Sequence, residues 1–288
     1  MAQPILKRPV IIISFLVLIL LGVVSYQMMQ REAPPVTIPE AKDTVTATEE
    51  SAPIQVSDLK LLPGEKAVER YGEWYITTTE EDYSTLSVKR KKDGSIVSTM
   101  EGIEFIIKRI DLNGDKKSEL LINAFTGGAH CCDEYMVVYG DEANPRVSGI
   151  ISTNDIPFDI RDLNGDGIKE LITANTNLAY EFTSFAASQF PVVIYHFRDG
   201  KFTVVTQQFP EALQKDYNQF KELYEEMIKS GYPDCVSPEM DDLKAVIAAM
   251  LTNTILLKGR DAAFKEGKTL FLCPGYDKFF WIVEKSVI

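Results

Sequence analysis

Residues 109–122 read RIDLNGDKKSELLI, and residues 160–173 read IRDLNGDGIKELIT. Aligned on Asp111 and Asp162, they share D-L-N-G-D-x-x-x-E-L at a spacing of 51 residues. A motif of that length, met twice in one chain, marks an internal repeat, and the repeat unit sets the fold. In each copy, oxygen-bearing side chains recur at alternate positions and an acid closes the series. Three acids within nine residues repel one another unless something positive sits between them.

That donor pattern suits calcium, a hard cation taking about six to eight oxygen ligands from carboxylates, amides and carbonyls. The first copy offers Asp111, Asn113, Asp115, the Lys117 carbonyl and Glu119. The second offers Asp162, Asn164, Asp166, the Ile168 carbonyl and Glu170. An EF-hand is excluded, because its twelfth position would fall on Ile122 or Thr173 and the flanks are β-like. The competing reading is an Asp-Asn-Gly turn between two strands with no metal. The second copy is the stronger candidate. Its Gly167 allows the sharp turn, where the first copy has Lys116 followed by another positive charge at Lys117.

The segment D-L-N-G-D-G-I-K-E-L at 162–171 resembles the calcium loop of FG-GAP and VCBS repeats, the blade units of integrin-α-type β-propellers. The resemblance covers about 100 residues of the chain. It implies blades of antiparallel strands, with the metal loop joining two strands. The segment G-G-A-H-C-C at 127–132 also resembles exported bacterial proteins that carry the same loop.

Around the loops lie hairpins. Residues 85–100 turn at Asp93-Gly94, residues 134–153 read as strand, turn, strand, and residues 191–206 turn at Asp199-Gly200. The first two hairpins each precede a loop and the third precedes Pro210. About three units are therefore expected, the last without a metal loop. A closed propeller needs roughly four to eight blades. The expected fold is mainly β: antiparallel propeller-like sheets, an incomplete or small propeller, followed by a C-terminal helical segment and a terminal hairpin.

After Pro210, Leu213, Tyr217, Phe220, Tyr224 and Met227 recur at helical spacing, with Gly231 as the stop. Ser237 and Pro238 then open a second helix marked by Leu243, Val246, Ile247, Met250 and Leu251. Residues 269–273 and 279–287 (TLFLC, FFWIVEKSV) read as a hairpin about Pro274-Gly275. Gly267-Lys268-Thr269 is not a phosphate loop, since Ala262 stands where that motif needs glycine.

The N-terminus reads as an export signal. Met1 to Pro9 is short and basic through Lys7 and Arg8, and Val10 to Val24 is uncharged and almost wholly apolar. The run extends to about Met29, and about 20 apolar residues span a bilayer. The expectation is a single-pass bacterial inner-membrane anchor, N-terminus cytoplasmic and body periplasmic or extracellular, or an exported protein if the signal is cleaved. Residues 30–57 hold four prolines and no aromatic residue and read as a disordered linker. The organisation is then 1–9 n-region, 10–29 anchor or signal, 30–57 linker, 58–208 β-repeat region and 209–288 helical segment with terminal hairpin.

Composition bounds the partners. Of the 288 residues 45% are hydrophobic and 25% charged, ordinary globular values for one or two domains. The net charge is −12, and Lys7 and Arg8 are the sole charges before residue 31, so the rest carries −14. Such a surface repels phosphate backbones, which excludes nucleic acid, and limits membrane contact to the N-terminal anchor. An envelope protein or glycan is the expected partner.

Four cysteines allow three pairings, and outside the cytoplasm disulfides are expected. Cys235 with Cys273 would tie the ends of the helical block, which leaves Cys131 with Cys132, a strained adjacent pair. His130-Cys131-Cys132-Asp133 as a metal site is disfavoured, because consecutive side chains on an extended strand point to opposite faces. No catalytic site is visible: His130 and His196 are the two histidines, and no G-x-S-x-G occurs. The expected function is a calcium-binding scaffold or binding module of the cell envelope, not an enzyme. The alternative is an envelope hydrolase or thiol-redox protein using the 127–133 loop.

Overall fold

The computed structural model describes residues 59–79, 81–128, 132–154 and 156–288. The expected n-region, anchor and linker lie outside these residues.

Thirteen strands in the described residues form three antiparallel sheets, each in chain order. The first contains β1 (Glu65–Tyr71), β2 (Trp74–Thr79), β3 (Ser84–Arg90) and β4 (Ile96–Gly102). The second contains β5 (Glu104–Ile110), β6 (Glu119–Phe125), β7 (Asp133–Asp141) and β8 (Asn144–Val147), with the short β9 (Ile151–Ser152) also on β7. The third contains β10 (Asp159–Arg161), β11 (Glu170–Ala174), β12 (Val192–Arg198) and β13 (Lys201–Val204). The predicted hairpins form where their turn residues stand. Asp199 and Gly200 take φ of 52° and 78°, the paired left-handed conformation of a two-residue hairpin.

The count of three units holds, but their phase is corrected. Each Asp-Asn-Gly loop joins the first two strands of its own sheet, and the hairpin that follows supplies the last two. The unit without such a loop is therefore the first, where β1 meets β2 in a tight turn at Gly72-Glu73. Hairpins show in sequence as pairs of strands, whereas their grouping into fours depends on packing between pairs.

The second sheet is the middle layer of the apolar core. Successive side chains on a strand point to opposite faces. Leu120, Ile122, Ala124, Met136 and Val138 face Tyr71, Trp74, Ile76, Leu86, Val88 and Met100 of the first sheet. Leu121, Tyr135 and Val137 face the other way, onto Leu112, Phe158, Leu171 and Phe197. This is why 119–125 (ELLINAF) lacks polar alternation: burial on both faces removes the need for it.

Four helices follow: α1 (Pro210–Met227), α2 (Pro238–Lys258), α3 (Arg260–Leu270) and α4 (Tyr276–Ser286). Ser237 caps α2 by accepting from the Met240 N–H, and Pro238 occupies its first position. Residues 245–254 of α2 are buried without a break, so this helix is enclosed on all sides rather than along one stripe.

The expected terminal hairpin is corrected: 269–270 close α3 and 279–286 belong to α4. Aromatic and β-branched residues in FFWIVEKSV favour a strand locally, but Tyr276, Phe279, Phe280, Val283 and Ser286 are the buried ones. Those positions repeat at helical spacing, and their contacts with α2 and α3 override the β preference. Residues 271–273 alternate as a strand would, with Phe271 and Cys273 buried and Leu272 exposed, yet they pair with no strand among the described residues.

The helices are fastened to the third sheet by polar contacts. The Asn175 amide donates to the Ser286 carbonyl at 2.8 Å. Asp216 of α1 accepts from the Val192 N–H of β12 at 3.0 Å and from the Asn253 amide of α2 at 2.8 Å. Burial holds the Asp216 carboxyl above the usual carboxylate range, against those two hydrogen bonds. A carboxyl raised on folding favours the native state at low pH and loses that contribution as pH rises through its folded pKa. Wild type is therefore expected to lose part of its stability as pH climbs through the carboxylate range. Asp216→Asn should lack that part, as read by urea unfolding at a series of pH values. Identical pH profiles would refute it.

Candidate metal-binding loops

The two loops share one hydrogen-bond frame. In the first, Asp111 accepts from the N–H groups of Gly114 and Lys116, both at 2.8 Å. Asn113 accepts from Asp115 and Asp115 from Lys117, each at 2.8 Å. In the second, Asp162 accepts from Gly165 at 2.6 Å and Gly167 at 2.9 Å, Asn164 from Asp166 at 3.1 Å, and Asp166 from Ile168 at 2.8 Å. Side chains at positions one, three and five thus collect the loop's backbone donors. Ion–dipole hydrogen bonds of this kind favour the ionised acid. Accordingly the Ile168 N–H, with the Asn164 amide, draws the Asp166 carboxyl below its ordinary range.

The closing acids start the following strands and are buried. Glu119 is 2% exposed; its two oxygens accept from the Leu112 N–H at 2.8 Å and the Asn113 amide at 2.9 Å. Burial, and then the negative charges of Asp115 and Asp111, push its carboxyl up to about 7 despite the Leu112 bond. Glu170 is fully buried and accepts from the Leu163 N–H at 2.5 Å. Its other oxygen lies 2.9 Å from His196 Nε2. His196 of β12 thus touches the loop-closing acid. The signal was the register: Glu170 and His196 are directly opposed across β11 and β12.

The turn at the sixth position is left-handed in both loops, with φ of 90° at Gly167 and 68° at Lys116. For a lysine that conformation costs roughly 1–2 kcal/mol. The expectation that Lys116 fits this position less well than glycine has its physical basis there, although both loops take the same path.

The donor chemistry is that of a hard cation. An sp2 oxygen has two lone pairs, so accepting one N–H does not exhaust it. Among the described residues, no group of three or more Asp, Glu, His or Cys side chains already stands clustered as a metal cage. Asp111, Asp115 and Glu119, and likewise Asp162, Asp166 and Glu170, therefore do not stand together as a preformed carboxylate cluster.

The loops also touch each other. The Lys169 N–H donates to the Leu112 carbonyl at 3.0 Å. A methyl group added to Gly114, whose φ is 78°, would stand 3.1 Å from the Gly167 carbonyl oxygen and 3.4 Å from Ile168 Cγ1.

The cysteines divide as expected at one pair. Cys235 and Cys273 form a disulfide across 38 residues, joining the α1–α2 connection to the α3–α4 connection. Cys132 is partly buried, and its carbonyl accepts from both the N–H and the hydroxyl of Thr126. Ala129, His130 and Cys131 lie outside the described residues, and with them the expected Cys131–Cys132 bridge and the middle of the 127–133 loop.

No family model matches the chain. The likeness to FG-GAP and VCBS repeats therefore rests on the loop residues themselves. A curated relative, described as a probable thylakoid lumen protein of Synechocystis sp., is 28% identical over 193 residues. The match takes in 64% of this chain and 54% of the relative, so the chain spans about half the length of the curated relative it matches.

The expected inner-membrane placement is corrected by these observations. The relative is described as lumenal, and among the described residues no helix is long and apolar enough to cross a membrane. The apolar 10–29 segment that carried the expectation lies outside those residues. A lumenal relative and the Cys235–Cys273 disulfide both fit an extracytoplasmic protein.

Proposed function

We propose that this is an extracytoplasmic calcium-binding repeat protein, a non-enzymatic binding or scaffold module. The observation that supports it most is the duplication. Two nine-residue loops with the same donor types, the same frame of backbone N–H bonds to side chains and the same place between the first two strands of a sheet recur in consecutive sheets. In this reading each sheet is a blade-type unit like those of FG-GAP and VCBS proteins, and the three form part of a propeller-like stack. Asp111, Asn113, Asp115, Lys117 and Glu119 would hold one calcium ion, and Asp162, Asn164, Asp166, Ile168 and Glu170 a second. The ion would draw the three carboxylates of each loop together and neutralise them. Its role is structural: it fixes loops that display a surface to an envelope protein or glycan.

Calcium that binds only the folded chain stabilises it, by about 2.7 kcal/mol at a hundredfold excess over its dissociation constant. Adding chelator should then lower the melting temperature by roughly 5–10 °C for a folded unit of this size. An unchanged melting temperature, with no calcium found by elemental analysis, would sink the assignment. The loops should also rank. Asp166→Ala is expected to weaken calcium binding more than Asp115→Ala, because Gly167 adopts its left-handed turn without the cost borne by Lys116. Calorimetric titration of the two variants measures this, and an equal or reversed order would refute the argument from the turn.

A further inference from the structure

We infer that the two loops are conformationally coupled, so that loosening either one loosens the other. The coupling needs no cation in either loop; it stands on how the loops meet. The Lys169 N–H, just before Glu170, donates to the carbonyl of Leu112, whose own N–H is held by Glu119. The backbone bond between loops thus runs from the end of one to the start of the other. Beside it, Gly114 packs on the Gly167 carbonyl and Ile168, closely enough that an added methyl group would crowd both. Gly114 is also the residue whose N–H is gripped by Asp111, and Gly167 the one gripped by Asp162. Each gripping carboxylate therefore fixes a residue that forms the contact with the other loop. If Asp111 lets go, Gly114 loses its seat against Gly167; if Asp162 lets go, Gly167 leaves Gly114. The backbone bond and this contact together tie the position of each loop to that of the other. If calcium fills both loops as proposed above, cooperative binding follows.

Amide hydrogen exchange on the full-length protein, read by NMR, tests this. The reporters are Gly165 and Gly167 in the second loop and Gly114 and Lys116 in the first. Asp115→Ala removes the acceptor of the Lys117 N–H from an exposed position of the first loop that makes no described contact with the second. It should speed exchange at Gly165 and Gly167 at least about fivefold, the low end of ordinary coupling between sites. Asp166→Ala should speed exchange at Gly114 and Lys116 by a similar factor, since thermodynamic coupling is reciprocal. The Ser95 N–H is the control. It is held by Asp93 at 2.9 Å in the same kind of turn, far along the chain in the first sheet, and should not change. Raised exchange at Gly114 and Lys116 in Asp115→Ala, with wild-type exchange at Gly165 and Gly167 and Ser95 unchanged, would overturn the coupling. So would an effect running in one direction only. Coupling without calcium binding would leave this inference standing and remove the calcium reading; calcium binding with independent loops would do the reverse.

Discussion

Leu120→Ala and Leu121→Ala are each expected to destabilise the protein by about 3 kcal/mol, within the usual range for a leucine cut back to alanine in a packed core. These are neighbouring residues on one strand, so their side chains leave opposite faces of the second sheet. In a sheet with one wet face, one of the pair would be inexpensive to truncate. Here Leu120 is wholly buried against the first sheet and Leu121 is 2% exposed against the third. Each truncation would leave a void that its close-packed neighbours cannot fill. Urea unfolding of the two variants measures the effect. A cost under about 1 kcal/mol at either position would show that one face of the middle sheet is not packed.

The second large effect concerns the disulfide. Opening a bridge that closes a loop of 38 residues is expected to cost about 4 kcal/mol in the chain-entropy account. Cys235→Ser with Cys273→Ser should therefore unfold at markedly lower urea than the oxidised wild type, and wild type under strong reductant should approach the variant. Peptide mapping should recover Cys235 linked to Cys273 before reduction. A variant as stable as wild type would mean that the bridge does not restrain the unfolded chain, leaving its role to local geometry.

What was legible in the chain was whatever is decided within a few residues. Asp93-Gly94 and Asp199-Gly200 specify their turns through local backbone preferences, and hairpins formed there. Ser237-Pro238 states a helix start through a side-chain cap and a missing N–H. The Asp-Asn-Gly loops were legible for the same reason, since the hydrogen bonds that shape each turn close within seven residues.

What was not legible depended on distant partners. FFWIVEKSV carries strand-forming residues, and only the aromatic core it joins makes it a helix. The boundary between the first and second sheets falls between Gly102 and Glu104, where the chain passes on through the single residue Ile103. Nothing in Gly102 or Ile103 announces a change of sheet. His196 beside Glu170 and Gly114 against Gly167 likewise required the register and stacking of separate segments.

In all three sheets the main ladder joins strands adjacent in the chain, so most backbone pairing here closes short loops. Such a topology is quick to search, because little chain must be immobilised before each contact forms. It also allows the molecule to be built in the order in which it is made. The first sheet can assemble while later residues are still being synthesised or threaded out of the cytoplasm, and each new sheet finds its predecessor already in place. The helices come last, and both cysteines of the disulfide lie among them. Oxidation of Cys235 and Cys273 thus clasps helices that follow the strands in the chain and ties no strand to another.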